Sequence, residues 1–230
     1  MASTFFGLHI GSSALSSFQV ATNTTANNIA NVKTTGYTRQ EATLQAKDAI
    51  NVTARYGRVG TGVTVTSIKQ QRDLYYDNKY WENNSCYGRY EQKLYYMEQI
   101  QNYLKDNGSS VKGFSSVFSQ MFSDLDTLRS KPSDKTVRNQ FISSAQSLCT
   151  YFNQMSDNLS KLQDDCNEEI RNNVDKINSI SEKISLLNKE INQIETGTGV
   201  EASSLRDERA NLIDSLSKIV NVSYNETEVQ

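Results

Sequence analysis

From Val137 to Ile194, apolar side chains return at every third or fourth position. The run is Val137, Phe141, Ala145, Leu148, Phe152, Met155, Leu159, Leu162, Cys166, Ile170, Val174, Ile177, Ile180, Ile184, Leu187, Ile191 and Ile194, and no glycine or proline falls between Ser133 and Thr196. That spacing places the whole set on one side of a single α-helix. Sixty helical residues extend about 90 Å at 1.5 Å per residue. From Ile177 onward the steps alternate strictly between three and four, as in a coiled-coil seam. Cys166 occupies a seam position and Cys149 adjoins Leu148, so both read as small buried apolar residues. One proline in 230 residues argues the same way for the rest of the chain.

The remaining elements arrange themselves around this helix. Gly197-Thr198-Gly199 turns the chain, and Ala202 to Val220 forms a helix that folds back antiparallel with Leu205, Leu212, Leu216 and Ile219 inward. Upstream, Arg72-Asp73-Leu74 opens a helix on which Tyr76, Tyr80, Tyr87, Tyr90, Leu94, Met97, Gln101 and Leu104 share a face. Eight of the twelve tyrosines lie between Tyr75 and Tyr103. Asp77, Glu82, Glu91, Glu98 and Asp106 are mixed with the basic residues there, which favours core or helix-interface packing over base stacking. Asp106 to Ser110 reads as a loop, and Phe114, Phe118, Met121, Leu125 and Leu128 as a short helix closed by Ser130-Lys131-Pro132-Ser133. Tyr37 to Ala46 and Arg58 to Ile68, rich in Thr, Val and Gly, predict a β-hairpin or two short extended segments. Val220, Val222 and Tyr224 alternate like an opening strand, so the chain reads as part of something longer. The fold expected is mainly α: an N-terminal helix over 1–35, a β-rich linker over 36–72, and an elongated antiparallel helical bundle or coiled coil over 73–230.

Charge is distributed unevenly. No Asp, Glu, Lys or Arg occurs from Ala2 to Val32, and His9 is the only titratable side chain there. Leu8, Gly11, Leu15, Phe18, Thr22, Thr25 and Ile29 nevertheless recur at helical spacing. A helix with a thin apolar seam and an uncharged polar remainder is marginal alone in water. It suits a setting where several such helices pack side by side.

The same sequence excludes several functions. A formal net charge of -2 gives no pull toward nucleic acid. There is no membrane span and no basic-then-apolar secretory signal. Three separated cysteines and one histidine make neither a disulfide framework nor a zinc site. No glycine-rich phosphate loop is present, and Asp164-Asp165 and Glu168-Glu169 read as a solvated helix face. Triplets such as Asn51-Val52-Thr53 and Asn158-Leu159-Ser160 match the glycosylation acceptor by chance in so Asn-, Ser- and Thr-rich a chain. No enzyme, cofactor or metal is expected; a hydrolase built on His9 would lack its partners.

The stretch from Ala26 to Gln40 (Ala-Asn-Asn-Ile-Ala-Asn-Val-Lys-Thr-Thr-Gly-Tyr-Thr-Arg-Gln) resembles the N-terminal signature of bacterial flagellar axial proteins. Its Thr35-Gly36-Tyr37-Thr38-Arg39-Gln40 part is similar to the form found in the hook-associated protein 1 (FlgK) family. Gly60 to Val65 with Ile68 and Arg72-Asp73-Leu74, Arg138 to Leu148, Ile177 to Asn188, and Leu205 to Asn221 resemble later segments of that family. The resemblance implies a non-enzymatic subunit of the hook–filament junction, with the N-terminal helix in the inner core of a tube. It implies an axial assembly and export motif at Leu15, Phe18, Asn27, Asn28, Ile29, Ala30, Asn31, Thr35, Gly36, Tyr37 and Arg39. The implied partners are further copies of the chain, hook protein, hook-associated protein 3 and the flagellar type III export apparatus, with no nucleic acid and no membrane insertion. The implied location is extracellular, reached without a cleaved signal. Members of the family are about twice as long and end in a helix that pairs with the N-terminal one, so an N-terminal fragment or truncated product is expected. The alternatives are another axial protein, such as hook protein or hook-associated protein 3, or a secreted coiled-coil adaptor.

Overall fold

The computed structural model describes residues 5–51, 57–106 and 113–226. Its elements are α1 (Phe6–Ala30), β1 (Gln40–Ala46), β2 (Ile50–Asn51), β3 (Arg58–Val59), β4 (Val63–Gln70), α2 (Leu74–Tyr103), α3 (Phe114–Ser130), α4 (Lys135–Thr198) and α5 (Ser203–Ser217). The architecture is mainly α with a short antiparallel hairpin, and α4 runs unbroken for 64 residues. The loop expected after Asp106 and the last two residues of the Asn51-Val52-Thr53 triplet lie outside the described residues. The chain divides into two units, one of residues 1–85 with 177–230, the other of residues 86–176.

In the first unit β1 and β4 pair antiparallel from Gln40↔Gln70 to Ala46↔Val63, with an irregularity between Thr43 and Leu44. β2 and β3 extend the hairpin by two residue pairs. The helical part is centred on Trp81, which is 2% exposed. Its indole N–H donates to Asp214 Oδ1 at 2.6 Å, so the ring is buried without an orphan donor. Ile180, Leu187 and Ile191 of α4 and Ala210, Ile213 and Ser217 of α5 are buried with it. Arg206 forks onto both Glu195 oxygens at 2.7 and 2.8 Å, and Arg209 reaches Asn188, which sets α5 antiparallel to the end of α4. The α5 face is not the one predicted. Leu205, Leu212, Leu216 and Ile219 are half-buried, while Asp207, Ala210, Ile213 and Ser217 go inward. Hydrogen bonds at Asp207 and Ser217 decide the rotation, and apolar weight alone does not register them.

No strand forms over 221–226. Side chains anchor that segment instead. The Tyr224 ring meets Trp81 edge-on at 5.6 Å and lies under the Arg209 guanidinium at 5.4 Å, and Glu226 accepts from Arg206 and Arg209 at 2.9 and 3.0 Å. Burial works against the Glu226 carboxylate, but the hydrogen bond from Arg209 and the two arginine charges outweigh it and hold its pKa below the usual range. The hydrogen bond from Arg206 likewise holds Glu195 low, against its burial.

In the second unit Asp106 accepts from the Ser116 N–H at 2.9 Å and from the Ser116 hydroxyl, which caps the start of α3. Phe114, Phe118 and Phe122 stack along α3, and Phe114 meets Tyr151 and Phe152 of α4. Leu162 and Ser144 of α4 are buried. Gln92 and Tyr96 of α2 donate to the two oxygens of Glu169, and that bond raises the Tyr96 pKa. Drawing Glu169 inward turns the next residues outward, so Ile170 and Val174 are 56% and 48% exposed and the predicted seam is interrupted there. Cys149, one residue past Leu148 and so about 100° around the helix, is exposed; Cys86 is exposed and Cys166 intermediate, and all three are free.

The tyrosine stripe, expected to pack in a core or a helix interface, is exposed within the chain. Trp81 is the one buried residue of α2, whereas Tyr76, Tyr80, Tyr87, Tyr90, Leu94, Met97 and Leu104 are each more than half exposed. The inward face carries Asn84, Gln92 and Tyr96, all hydrogen-bonded. Periodicity weighted by hydropathy selects the opposite face.

Candidate assembly surface and its joint

Two sides of α1 do different work. The side against the hairpin is polar. Ser17 donates to Val63 O at 3.2 Å, Val63 N–H donates to Ser13 Oγ at 3.4 Å, and Ser17 and Thr24 are the buried residues of the helix. Gly62 makes this approach possible: its φ is +107°, and a Cβ there would sit 2.1 Å from Ser13 Oγ. The opposite side carries the predicted seam. Leu8, Leu15, Phe18 and Ile29 are 69, 72, 58 and 69% exposed, and Val32 continues the line. Hydroxyl and amide groups hold α1 to the hairpin, and the apolar stripe faces out, free to pack against other helices.

At its C-terminal end α1 enters a joint built from the Asn and Tyr side chains of the 26–40 stretch. The Asn28 amide faces the backbone of Gln40 as a neighbouring strand would, donating to its C=O at 2.8 Å and accepting from its N–H at 2.9 Å. Asn28 Oδ1 also accepts from the Tyr37 hydroxyl at 2.8 Å, and that oxygen in turn accepts from Asn27 at 3.1 Å. Asn31 donates to the carbonyl and side-chain oxygens of Asn27 and accepts from Thr34. Gly36, at φ +79°, turns the chain against α5, where a Cβ would lie 1.8 Å from Asn211 Oδ1. The Asp207 carboxylate then ties three segments together, accepting from Thr38 N–H at 3.3 Å and Gln70 Nε2 at 2.8 Å, while Gln70 also donates to Ser203 O. Burial first, and the Asp207 charge second, push the Tyr37 hydroxyl above its ordinary pKa.

The eleven residues singled out from sequence therefore separate. Asn27, Asn28, Asn31, Gly36 and Tyr37 belong to the joint. Leu15, Phe18 and Ile29 belong to the outer stripe, and Ala30, Thr35 and Arg39 are exposed beside it, Arg39 paired with Glu41 at 3.5 Å. A groove of 570 Å³ lies between Thr25, Ile29 and Val32 of α1 and Arg39, Glu41 and Ala42. Ser13, Ser17, Gln70, Asp207 and Asn211 complete the joint and were not anticipated. Their partners lie 46 to 175 positions away in sequence, beyond the reach of any local pattern. Among the described residues no group of three or more His, Cys, Asp or Glu could hold a metal ion. No helix among them is long and apolar enough to cross a membrane.

Comparison with known proteins bears on both regions. Residues 97–229 match the family model of the flagellar hook-associated protein FlgK helical domain. The chain belongs to the FlgK family. Residues 8–38, which comprise most of α1 and its turn, match the family of flagella basal body rod proteins. Flagellar hook-associated protein 1 of Bacillus subtilis is 35% identical over 99% of this chain and 46% of its own length. The proteins of the same name from Salmonella typhimurium and Escherichia coli are 33% and 32% identical, each over 93% of this chain and 38% of their own length. The chain thus spans less than half the length of these relatives. FlgK proteins are structural components of the flagellum and do not form an enzyme family.

Proposed function

We propose that this chain acts as a structural subunit of the flagellar hook–filament junction, assembling with copies of itself at the hook tip and joining hook to filament. The observation that carries the reading is the outer stripe of α1. It is an exposed apolar line on a helix without a charged side chain, and its polar side is already occupied by its own hairpin. Burying such a stripe among like helices removes apolar area from water and desolvates no charge. Contacts of this kind, repeated head to tail around an axis, generate a tube. The neighbours in this reading are the chain itself, hook protein and hook-associated protein 3. The chain reaches the cell exterior through the flagellar type III apparatus without a cleaved signal, with the 26–40 stretch near the export determinant. Placement of epitope-labelled variants at the hook tip in motile cells tests it. The unaltered protein is expected at the hook tip, and Phe18→Asp or Ile29→Asp is expected to be exported, folded and absent from the tip. Incorporation of both variants at the normal level would refute the role of the stripe.

A further inference from the structure

The two units differ in what holds each together. Among the described residues, Trp81, Ile180, Leu187, Ile191, Ile213 and two alanines are the buried apolar side chains of residues 1–85 with 177–230, whereas Leu162 alone has that place in residues 86–176. The large apolar groups of 86–176 lie outside: Phe114, Phe118, Phe122, Ile142 and Phe152 are 38 to 53% exposed. Two polar side chains turn inward there. Asp124 Oδ1 accepts from Gln120 at 3.0 Å, but Oδ2 is buried with no hydrogen-bond partner among the described residues. The buried Ser144 hydroxyl donates to the Phe141 carbonyl of its own helix at 3.0 Å, and that bond does nothing to join α4 to α3.

Ordering a residue costs about as much entropy in one unit as in the other, and burial of apolar area is the main term set against it. Residues 86–176 have little of that term, and an orphaned carboxylate oxygen subtracts from it. Helix α4 passes through both units, and its surroundings change along its length. Ile170 and Val174 are exposed, whereas Ile180, Leu187 and Ile191 are buried. A helix can melt on one side of such a boundary, because each turn that remains keeps its own backbone bonds. We infer that residues 86–176 open as a separate cooperative step, with α4 melting back to about Ile177, while residues 1–85 and 177–230 stay folded. The joint at Tyr37 and Asp207 and the hairpin that seats α1 belong to the part that stays. The consequence for assembly rests on the reading of α1 given above: the outer stripe is presented by a folded body whether 86–176 is closed or open.

Native-state hydrogen exchange of the 230-residue chain, read on peptic fragments, tests this. In low urea, amides of α3 and of α4 from Lys135 to Glu169 are expected to exchange at least about a hundredfold faster than those from Ile180 to Ile191 on the same helix. In a urea titration, helical ellipticity is expected to fall in two steps, and Trp81 fluorescence only with the second. Leu162→Ala should lower the first midpoint or abolish the first step, with the Trp81 midpoint unchanged. Asp124→Leu removes the orphaned oxygen and should slow exchange in α3 and the first part of α4 about tenfold, with Ile180 to Ile191 unaffected. A single step in which ellipticity and fluorescence coincide, or equal protection along α4, would overturn the inference. So would a Trp81 midpoint that falls with Leu162→Ala. Phe18→Asp on α1 leaves all of these readouts unchanged, so the opening and the assembly role of the stripe fail separately.

Discussion

Replacing Gly36 by Ala isolates two costs at the joint. The first is backbone: φ is +79°, where an L side chain crowds the following carbonyl for about 1–2 kcal/mol. The second is steric: the new Cβ would lie 1.8 Å from Asn211 Oδ1 and 2.3 Å from its Cγ, so the Asn211 side chain must swing away, at about 1 kcal/mol for the end of a movable side chain. Gly36→Ala is therefore expected to destabilise the first unit by about 2–3 kcal/mol. In an Asn211→Ala background the steric part disappears and about 1–2 kcal/mol remains, a coupling of about 1 kcal/mol between the two sites. Trp81 supplies the assay. It is the single tryptophan, buried in the same unit, so its fluorescence in a urea titration reports that unit's unfolding. Equal losses in the two backgrounds would show that Asn211 is not what Gly36 accommodates. A loss under about 0.5 kcal/mol, the range of an ordinary surface change, would remove the left-handed turn from the argument altogether.

Asn28→Ala leaves the Gln40 N–H and C=O and the Tyr37 hydroxyl without their shared partner, and should cost about 1–3 kcal/mol in the same titration. Asn28→Asp keeps the acceptor and loses the donor, so it should retain part of that stability. Phe18→Asp and Ile29→Asp should change unfolding by less than about 0.5 kcal/mol, because both side chains lie on the exposed stripe. Glu195 and Glu226 have pKa values held below those of the unfolded chain, so their contribution is complete above the unfolded carboxylate range and is lost as the pH falls through their folded values. Melting temperature measured from pH 6 downward should drop more steeply for the parent than for Glu226→Gln, and parallel curves would refute the clasp on 221–226. Ile191→Ala, at a site 4% exposed, should cost about 2–5 kcal/mol, against almost nothing for Ile170→Ala, which circular dichroism melts can compare.

The sequence was most readable where one physical effect acts alone. α4 follows from apolar spacing with no breaker, and its observed span, Lys135–Thr198, differs from the predicted one by two residues at each end. The hairpin follows from Thr/Val alternation between glycines. Side chosen, rather than element formed, is where apolar spacing misled. On α2 and α5 the side facing the chain's own partner is the one with Gln92 and Tyr96, Asp207 and Ser217. Each of these groups is turned inward by a bond to a specific distant atom, and hydropathy cannot register a partner that lies elsewhere in the chain. The motif around Tyr37 was recognisable as a unit, but its division into a joint and an outer stripe needed Asp207 and Gln70 in view.

The two sides of α1 give its attachments opposite temperature dependence. Its inner contacts are hydrogen bonds donated by Ser17 and Asn28 and accepted by Ser13, whereas its outer stripe offers only apolar area. Association through apolar area is driven by solvent entropy near room temperature and weakens as water is cooled, while hydrogen-bonded docking does not share that loss. In the assembly proposed above, chilling should therefore release subunits whose first helix is still seated on its own hairpin. The unit that detaches is already folded, and rewarming can return it to its neighbours without a refolding step.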